Sequence, residues 1–558
     1  MSIYTQVESG TSFHRSRFSK SISNRMDYDC QFHQLVPVLK RFVLPGDIWR
    51  IGGDVLVRFQ PMLSPTLTPN SFRVRYFFVP LRLVEPNAEL VITGSKDGHL
   101  YSGELPVLDN FVAKADKTYN TNAYKVLKHS FWDYMNVQPL DYEAIKSDEV
   151  LPAAYWSKAW QRIKWDYYFD ENLQTERQNY ADFDAFETDF MKNGAAMECG
   201  YSNLKKDYFI SSLPWQLKGV APVIQTQLQT TFTGTWNPNF TGDFIIAKTS
   251  TDSEISTLVF NGNSDGTNPH FNLASVNANQ RNAANSKIRS FLNGAQTVSA
   301  TASGSSIGFS ADDLRTMMAQ TRIFERLARA GSRYTEYLRS NFGTAPADDT
   351  LQRAQYLGGW KVPIVTTEVL QTAEGTDPVG TMRGHGITRG GNRIATFYAK
   401  EFGVLFGVAE VRPDVQYTTG INRQLTYKRR FDFFNPSLQH LSEQEVRNGE
   451  LFISNSDGLN DSTFGFQAYG NELRSYENET VGEMRDTLGY WNQALQFTAR
   501  PNLNSALISG KSHRASFNRP FGLVDPDTAY PIIVQFYNNL DVYRPMVRYA
   551  TPGLVDHL

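Results

Sequence analysis

Apolar and polar side chains alternate in two runs near the start of the chain, which is the pattern of half-buried β-strands. One run covers residues 55–60 and a stronger one covers 72–79. A further strand is predicted over 35–44, because turn-forming residues follow it at 45–47. Residues 34–84 are therefore predicted to hold the first strands of the fold.

The C-terminal third has the same preference. Residues 402–411 form an almost continuous apolar run, and Ile532, Val534 and Phe536 alternate with other residues between two prolines. Strands thus cluster at both ends of the sequence, with long excursions between them. This arrangement is typical of a β-sandwich whose strands are joined by very long loops.

Helical spacing appears in the excursions. Residues 153–166 place Tyr155, Ala159 and Ile163 at intervals of four. A longer helix is predicted from a capping Ser310 to about residue 331, and a shorter one follows it over 333–340.

Composition divides the chain into six segments. Residues 225–310 are rich in Ser, Thr, Asn and Gly with few charges, which favours a surface insertion of short strands and turns. The segments are a basic N-terminal arm (1–33), first strands (34–84), an inter-strand insertion with a helix near 153–166 (85–224), a surface insertion (225–310), a helical and loop segment (311–400), and last strands with a C-terminal tail (401–558).

Overall composition excludes several classes of protein. The 558 residues carry 55 Lys and Arg against 57 Asp and Glu, a net charge of −2. A dedicated nucleic-acid-binding domain is usually strongly basic, so any such contact must come from local patches. Two cysteines, Cys30 and Cys199, are too few for a disulfide scaffold. We expect no secretory signal over residues 1–13 and no membrane-spanning helix, because the longest apolar run is too short.

Catalytic and ligand motifs are largely missing. The sequence lacks a P-loop, an H-E-x-x-H zinc motif and a G-x-S-x-G nucleophile motif. His385 lies between two glycines, and residues 357–359 and 389–391 are glycine-rich; all three are interpreted as loops. We therefore expect no catalytic, cofactor-binding or metal-binding residue.

Local clusters of Lys and Arg are the one signal for a ligand, because each such side chain can neutralise a phosphate. The arm has four of them, and two further acid-poor stretches resemble it. The alternatives are a solvated tail, and strand-edge charges beside core Phe517 and Phe521. The candidate nucleic-acid contacts are Arg15, Arg17, Lys20, Arg25, Lys428, Arg429, Arg430, Lys511, Arg514 and Arg519.

Several short strings follow one another along nearly the whole chain except 225–310. They are LPGD (44–47), VRFQPMLSP (57–65), YFFVP (76–80), WDY (132–134), DYF (207–209), LPW (213–215), RYTE (333–336), LQR (351–353), YLGG (356–359), EVLQT (368–372) and PGLVDH (552–557). In their order and number, which are more specific than any one string, they resemble the major capsid proteins of microviruses, and most of all the gokushovirus-like branch. Trp360 departs from the family pattern, which has a smaller residue there.

The resemblance implies a mainly β protein, an eight-stranded viral jelly-roll β-sandwich with long loop and helical insertions. It also implies a non-enzymatic protein of the virion, assembled in the bacterial host cytoplasm into a T=1 icosahedral shell around circular single-stranded DNA. The implied partners are many copies of the chain, the genome, a small basic DNA-binding protein, a pilot protein and a host surface receptor. Residues 225–310 are the expected threefold protrusion that meets the host.

Two other classes of function stay open at this point. A carbohydrate-binding or carbohydrate-active jelly roll would use the many aromatic residues to stack sugars and paired acids for catalysis. A single-strand-binding protein would conflict with the near-neutral charge and the length of the chain.

Overall fold

The computed structural model describes most of the chain outside the surface insertion. The described residues are 18–93, 103–105, 128–139, 152–174, 198–216, 218, 242–244, 258–261, 270–273, 311–330, 334–348, 350, 352–370, 382–418, 420–438, 443–456, 458–522 and 529–546. Arg15 and Arg17 lie outside them, as do most of residues 225–310 and the C-terminal string.

Strands dominate the described residues. In chain order they are β1 (Phe18–Ser21), β2 (Asn24–Cys30), β3 (Val36–Val43), β4 (Ile48–Phe59), β5 (Asn70–Pro80), β6 (Gly242–Phe244), β7 (Leu258–Asn261), β8 (His270–Leu273), β9 (Gln355–Leu370), β10 (Met382–Tyr398), β11 (Gly403–Pro413), β12 (Glu443–Arg447), β13 (Thr463–Ala468) and β14 (Ile532–Arg544).

Helices occupy the connections between the strands. The α-helices are α1 (Ala88–Thr93), α2 (Phe131–Tyr134), α3 (Tyr155–Tyr167), α4 (Ala311–Ala330), α5 (Tyr334–Phe342), α6 (Asn448–Leu451), α7 (Ser505–Ile508) and α8 (Arg514–Asn518). Short 3-10 turns cover Leu81–Leu83, Arg423–Thr426, Pro436–Leu438, Asn471–Leu473, Gly482–Arg485, Gly489–Trp491, Gly510–His513 and Arg519–Phe521. The predicted helices at 153–166, 310–331 and 333–340 correspond to α3, α4 and α5.

Eight strands form two antiparallel layers of four. One layer has the order β2-β14-β4-β10 and the other has the order β3-β11-β5-β9; β10 and β9 pair with each other and join the layers into one curled sheet. Within each layer the strands alternate between the two ends of the sequence, which is the winding of a jelly roll. The predicted mainly β, jelly-roll fold class is therefore confirmed.

The core lies between the two layers. The Phe536 ring of β14 stacks on Trp360 of β9 with centroids 6.2 Å apart, and it packs on Phe72 of β5 at 6.1 Å. The Asn538 side-chain amide, fully buried, donates a 2.8 Å hydrogen bond to the carbonyl of Val38 in β3. These contacts link the beginning, middle and end of the chain in one apolar interior.

The two layers differ on their outer sides. Every second residue of β4 is exposed or half-buried for much of its length, as expected for a sheet with one wet face. In β11 almost every residue is buried, because α2 and α3 cover its other side. There Trp160 of α3 packs edge-on against Phe406 of β11 at 5.6 Å, and Phe131 of α2 lies 5.4 Å from Trp160.

The N-terminal arm is partly built into the sheet. An extended polar tail was predicted over 1–33, but β1 and β2 pair with β14, and Tyr28 and Cys30 are buried. These strands leave little signal in the sequence. Only a few apolar residues alternate in β2, and β14, the strand they pair with, lies more than 500 positions further along the chain.

Residues 311–400 hold two long strands as well as the predicted helices. β9 and β10 contain six glycines between them, including the segments interpreted as loops. The glycines allow close packing: a Cβ at Gly386 would lie 2.6 Å from the Phe59 ring, and one at Gly384 would lie 2.6 Å from the Pro65 backbone. The apolar alternation that predicts a strand is therefore absent there.

A second long insertion separates β11 from β14. Residues 414–531 carry the two-stranded β12-β13 sheet together with short helices and turns. The prediction for 401–558 included only strands and a tail, so this insertion was missed.

Residues Gly219–Phe324 form a compact unit of their own. Its described residues include the three-stranded antiparallel sheet β6-β7-β8. This unit contains the whole of the predicted surface insertion, 225–310. The remainder of the chain forms the other unit, with the jelly roll.

Both cysteines, Cys30 and Cys199, are buried free thiols. Among the described residues, no helix combines the length and hydrophobicity needed to cross a membrane. No group of three metal-ligating side chains occurs in the part of the chain that the structure describes.

Candidate nucleic-acid interface

The two described basic residues of the arm lie at the edge of the sheet. Lys20 on β1 is exposed. Arg25 on β2 is also exposed, and its Nη2 atom lies 3.1 Å from Asp27 Oδ2. An exposed pair of this kind contributes only about 0–1 kcal/mol, so Arg25 can exchange Asp27 for another anion at little cost.

Lys511, Arg514 and the half-buried Tyr201 form a cluster inside one copy of the chain. Both cations lie over the Tyr201 ring, at 5.6 and 5.7 Å from its centroid. Lys511 Nζ is 2.6 Å from Glu198 Oε2, and Arg514 Nη1 donates to Gln31 Oε1 at 2.9 Å. These cations therefore already have partners in the fold.

Arg519 holds a turn together. Its guanidinium donates to the backbone carbonyls of Gly489, Asn492 and Ala494 at 2.8–3.1 Å, and burial lowers its pKa. The neighbouring Phe517 and Phe521 are buried, which agrees with the alternative reading of these rings as core residues. The structure thus gives Arg519 a positioning role within the fold.

Lys428, Arg429 and Arg430 lie together on an exposed loop of the second insertion. Asp432 closes this loop: its carboxylate accepts hydrogen bonds from the backbone N–H groups of Lys428 and Arg429 at 2.9 and 2.7 Å. The three cations have no ion pair among the described residues and are accessible to a partner.

The uncovered side of the β2-β14-β4-β10 layer, called here the open face, is a further surface that carries arginines. It presents Arg50 and Arg58 from β4 and Arg389 from β10, all exposed. Cross-strand pairing sets Arg58 opposite Ile387 and Ile533, and Arg389 opposite Leu56, so Arg58 and Arg389 are diagonal neighbours.

The open face also carries acids: Asp541 lies directly opposite Arg50, and the exposed Asp54 lies on β4 between Arg50 and Arg58. Arg393 pairs with Asp541 and Arg25 pairs with Asp27. Within the described part of the chain, no ion pair is formed by Arg50, Arg58 or Arg389. Exposed tyrosine rings lie among these cations, at Tyr398 on β10 and at Tyr537 on β14.

Sequence reasoning missed the three arginines of the open face. Arg58 stands in the alternating run at 55–60. Because it alternates with the apolar residues of that run, the sequence already indicated that its side chain faces solvent. Arg389 was hidden because its strand was interpreted as a glycine-rich loop. Surfaces that bind single-stranded nucleic acid usually combine arginines, which neutralise phosphates, with aromatic rings, which stack on bases.

Nearly the whole chain is similar to known phage capsid proteins. Residues 6–554 match the family model described as "Capsid protein (F protein)". The chain is 26% identical to "Capsid protein VP1" of Chlamydia phage 1 over 99% of this chain and 97% of that protein. The proteins of the same name from Bdellovibrio phage phiMH2K and Spiroplasma virus 4 are also 26% identical, over 97% and 93% of this chain and 95% and 92% of their own lengths.

Proposed function

Because the chain belongs to the phage capsid protein (F protein) family, we propose that it forms a T=1 icosahedral shell around the circular single-stranded DNA of a small tailless bacteriophage. Family membership itself makes the chain a structural major capsid protein, which self-assembles and is part of the virion, and not an enzyme. The shell geometry, the genome and the other partners belong to the proposal.

The observation that carries the genome contact is the difference between the two layers of the jelly roll. One layer is covered by α2 and α3, whereas the open face of the other presents Arg50, Arg58 and Arg389 without ion pairs among the described residues. Arginines that form no ion pair and are enclosed in a shell are stabilised by an additional anion. Closely packed DNA supplies one phosphate per nucleotide.

The arm extends this surface. β1 and β2 pair with the outer edge of β14. Arg25 lies opposite Tyr537 on the open face, whereas Lys20 lies opposite the buried Val542 and faces the other side of the sheet. We assign Arg15 and Arg17, which precede β1 in sequence, to the same genome contact. The open face and the arm together are proposed to line the inside of the shell.

Other parts of the proposal rest on the family resemblance. Residues 225–310 are assigned to a protrusion at the threefold axes that meets a host surface receptor, and their place in a separate compact unit supports this. Assembly is proposed to take place in the bacterial cytoplasm, with a small basic DNA-binding protein and a pilot protein as further virion components. A carbohydrate-binding role finds no support in the family match.

The genome contact is tested with the triple substitution Arg50→Gln, Arg58→Gln and Arg389→Gln in particles that contain DNA. Electron microscopy is expected to show shells of unchanged diameter. DNA retention should fall, and the salt dependence of DNA binding should weaken by about two units of the log–log slope, because three single-strand phosphate contacts are lost.

The matched control replaces three exposed arginines of α4 and α5, with the substitutions Arg322→Gln, Arg326→Gln and Arg339→Gln. These particles should keep the original DNA content and salt dependence. Equal DNA retention in the two variants would remove the open face from the genome contact. If the unmodified chain formed small oligomers and no particles, the proposed shell itself would be contradicted.

A further inference from the structure

The second insertion presents an exposed aromatic and basic loop, residues 428–434, called here the aromatic loop. It contains Lys428, Arg429 and Arg430, followed by Phe431 and Phe433. These two phenylalanine side chains are 74% and 56% exposed. Exposed aromatic side chains grouped with arginine are characteristic of the centres of protein–protein contacts.

The aromatic loop has a defined shape. The Asp432 carboxylate accepts hydrogen bonds from two backbone N–H groups of the loop, and these bonds lower the pKa of Asp432. Phe433 packs edge-on against Tyr427 at 5.7 Å, and Phe434 stacks on Tyr469 at 5.6 Å. The Phe433 ring is therefore held in place before a partner arrives, which reduces the entropy lost on binding.

A complementary surface lies elsewhere in the same insertion, at residues 476–486, called here the acidic segment. It exposes Glu479, Glu483 and Asp486 together with Tyr476, which is 75% exposed, and Val481, which is 59% exposed. Within the described residues, none of these three acids forms an ion pair. No ion pair joins the acidic segment to the aromatic loop inside one copy.

We propose that the aromatic loop of one copy docks on the acidic segment of a neighbouring copy in the shell. The inference rests on the self-assembly of this capsid protein and names the surface that performs it. Two different surfaces of one chain then meet at each contact, which is the heterologous geometry that closes into rings around a symmetry axis. Opposite charges fix the register, and Phe431 and Phe433 are desolvated against Tyr476 and Val481.

Single-stranded DNA is the competing occupant of the aromatic loop. Arg429 and Arg430 could bind phosphates, and the exposed rings could stack on bases. A protein partner is favoured because the chain itself supplies a surface of opposite charge with exposed apolar side chains. DNA binding is therefore treated as an outcome of the test.

A charge exchange tests the contact. The first variant carries Arg429→Glu and Arg430→Glu, the second carries Glu479→Lys and Glu483→Lys, and the third combines all four. Each of the first two should lower the fraction of chain in shells by about tenfold or more, because like charges then face each other. The third should recover assembly, because every contact then again joins opposite charges.

The control carries Arg322→Glu and Arg339→Glu, which reverse two exposed charges outside both surfaces and should leave assembly unchanged. Thermal unfolding of the unassembled variants checks that each of them folds. Recovery by the combined variant supports the proposed contact. Normal shells from the first variant with reduced DNA content would assign the aromatic loop to the genome, and failure of the combined variant to assemble would also overturn the proposal. Absence of particles from the unmodified chain would instead overturn the self-assembly beneath it.

Discussion

The imidazole of His33 is fully buried beside the end of β11. Its Nδ1 atom lies 3.1 Å from Ser202 Oγ, its ring packs on Phe517 at 5.2 Å, and its Nε2 atom has no hydrogen-bond partner among the described residues. Burial, followed by the positive charges of Arg412, His513 and Arg73, holds the pKa of His33 well below its usual 6.5. The folded protein therefore keeps this ring neutral.

Acid is expected to destabilise the unassembled subunit through His33. The unfolded chain binds a proton near pH 6.5, whereas the native site does not, so stability is complete above that pH and falls as the pH is lowered below it. One such histidine changes the free energy of unfolding by up to about 1.4 kcal/mol per pH unit. Urea unfolding between pH 7.5 and 5 measures the slope.

His33→Asn should flatten this pH dependence, since asparagine also tolerates the left-handed backbone at this position, where φ is 62°. The matched control, His385→Gln on β10, should keep the original slope. An unchanged slope in the His33 variant would refute the assignment. His513, whose pKa burial also lowers, is expected to supply the remaining acid sensitivity.

Individual residues of the genome surface were only partly predictable. Lys20 and Arg25 were found because they stand in an acid-free stretch of sequence. Lys511, Arg514 and Arg519 carry the same local signal, yet their partners Glu198, Gln31 and the Gly489 carbonyl are distant in sequence. Whether a basic side chain has a partner depends on the folded structure. Counting the acids near it in the sequence does not reveal this.

At the scale of elements, the two layers approach closely at Gly53 on β4. A Cβ there would lie 2.6 Å from the Phe536 ring and 3.0 Å from the Tyr76 hydroxyl of the opposite layer. Gly53→Val should therefore destabilise the subunit by about 1–3 kcal/mol in urea unfolding, through overpacking. Gly489→Ala, where the nearest atom would be 3.5 Å away, is the control and should change stability much less. A loss no larger than that of the control would mean that Phe536 and Tyr76 move aside to make room for the added side chain.

Strands were predictable where the burial of their side chains produces a recognisable pattern of apolar residues. β11 is apolar throughout because both of its sides are covered, and β5 alternates because its neighbours do. β9 and β10 gave no such signal, since glycines fill the positions where another chain segment comes close. The second insertion was missed for a related reason: it folds through short turns and side-chain hydrogen bonds, which have no periodicity.

At the scale of the whole molecule, the surface insertion is expected to be dispensable for the shell. Residues 225–310 lie in a compact unit separate from the jelly roll. Replacing them with a flexible Gly/Ser linker of about 20 residues, with a root-mean-square span of about 25 Å, should leave particle formation intact. Electron microscopy and a host-adsorption assay measure the two outcomes. Particles that still adsorb normally would argue against the host-receptor role of this segment.

The winding of the jelly roll has a consequence for biosynthesis. β14 lies between β2 and β4 in its layer, although some 500 residues separate it from β2 in the chain. At roughly 5–20 residues per second, a ribosome needs on the order of a minute to reach it. Until then β2 and β4 lack β14, the strand that pairs with both, so this layer of the nascent chain stays incompletely folded. A prematurely terminated polypeptide never completes this layer, and translation to the end becomes a condition for entry into the virus particle.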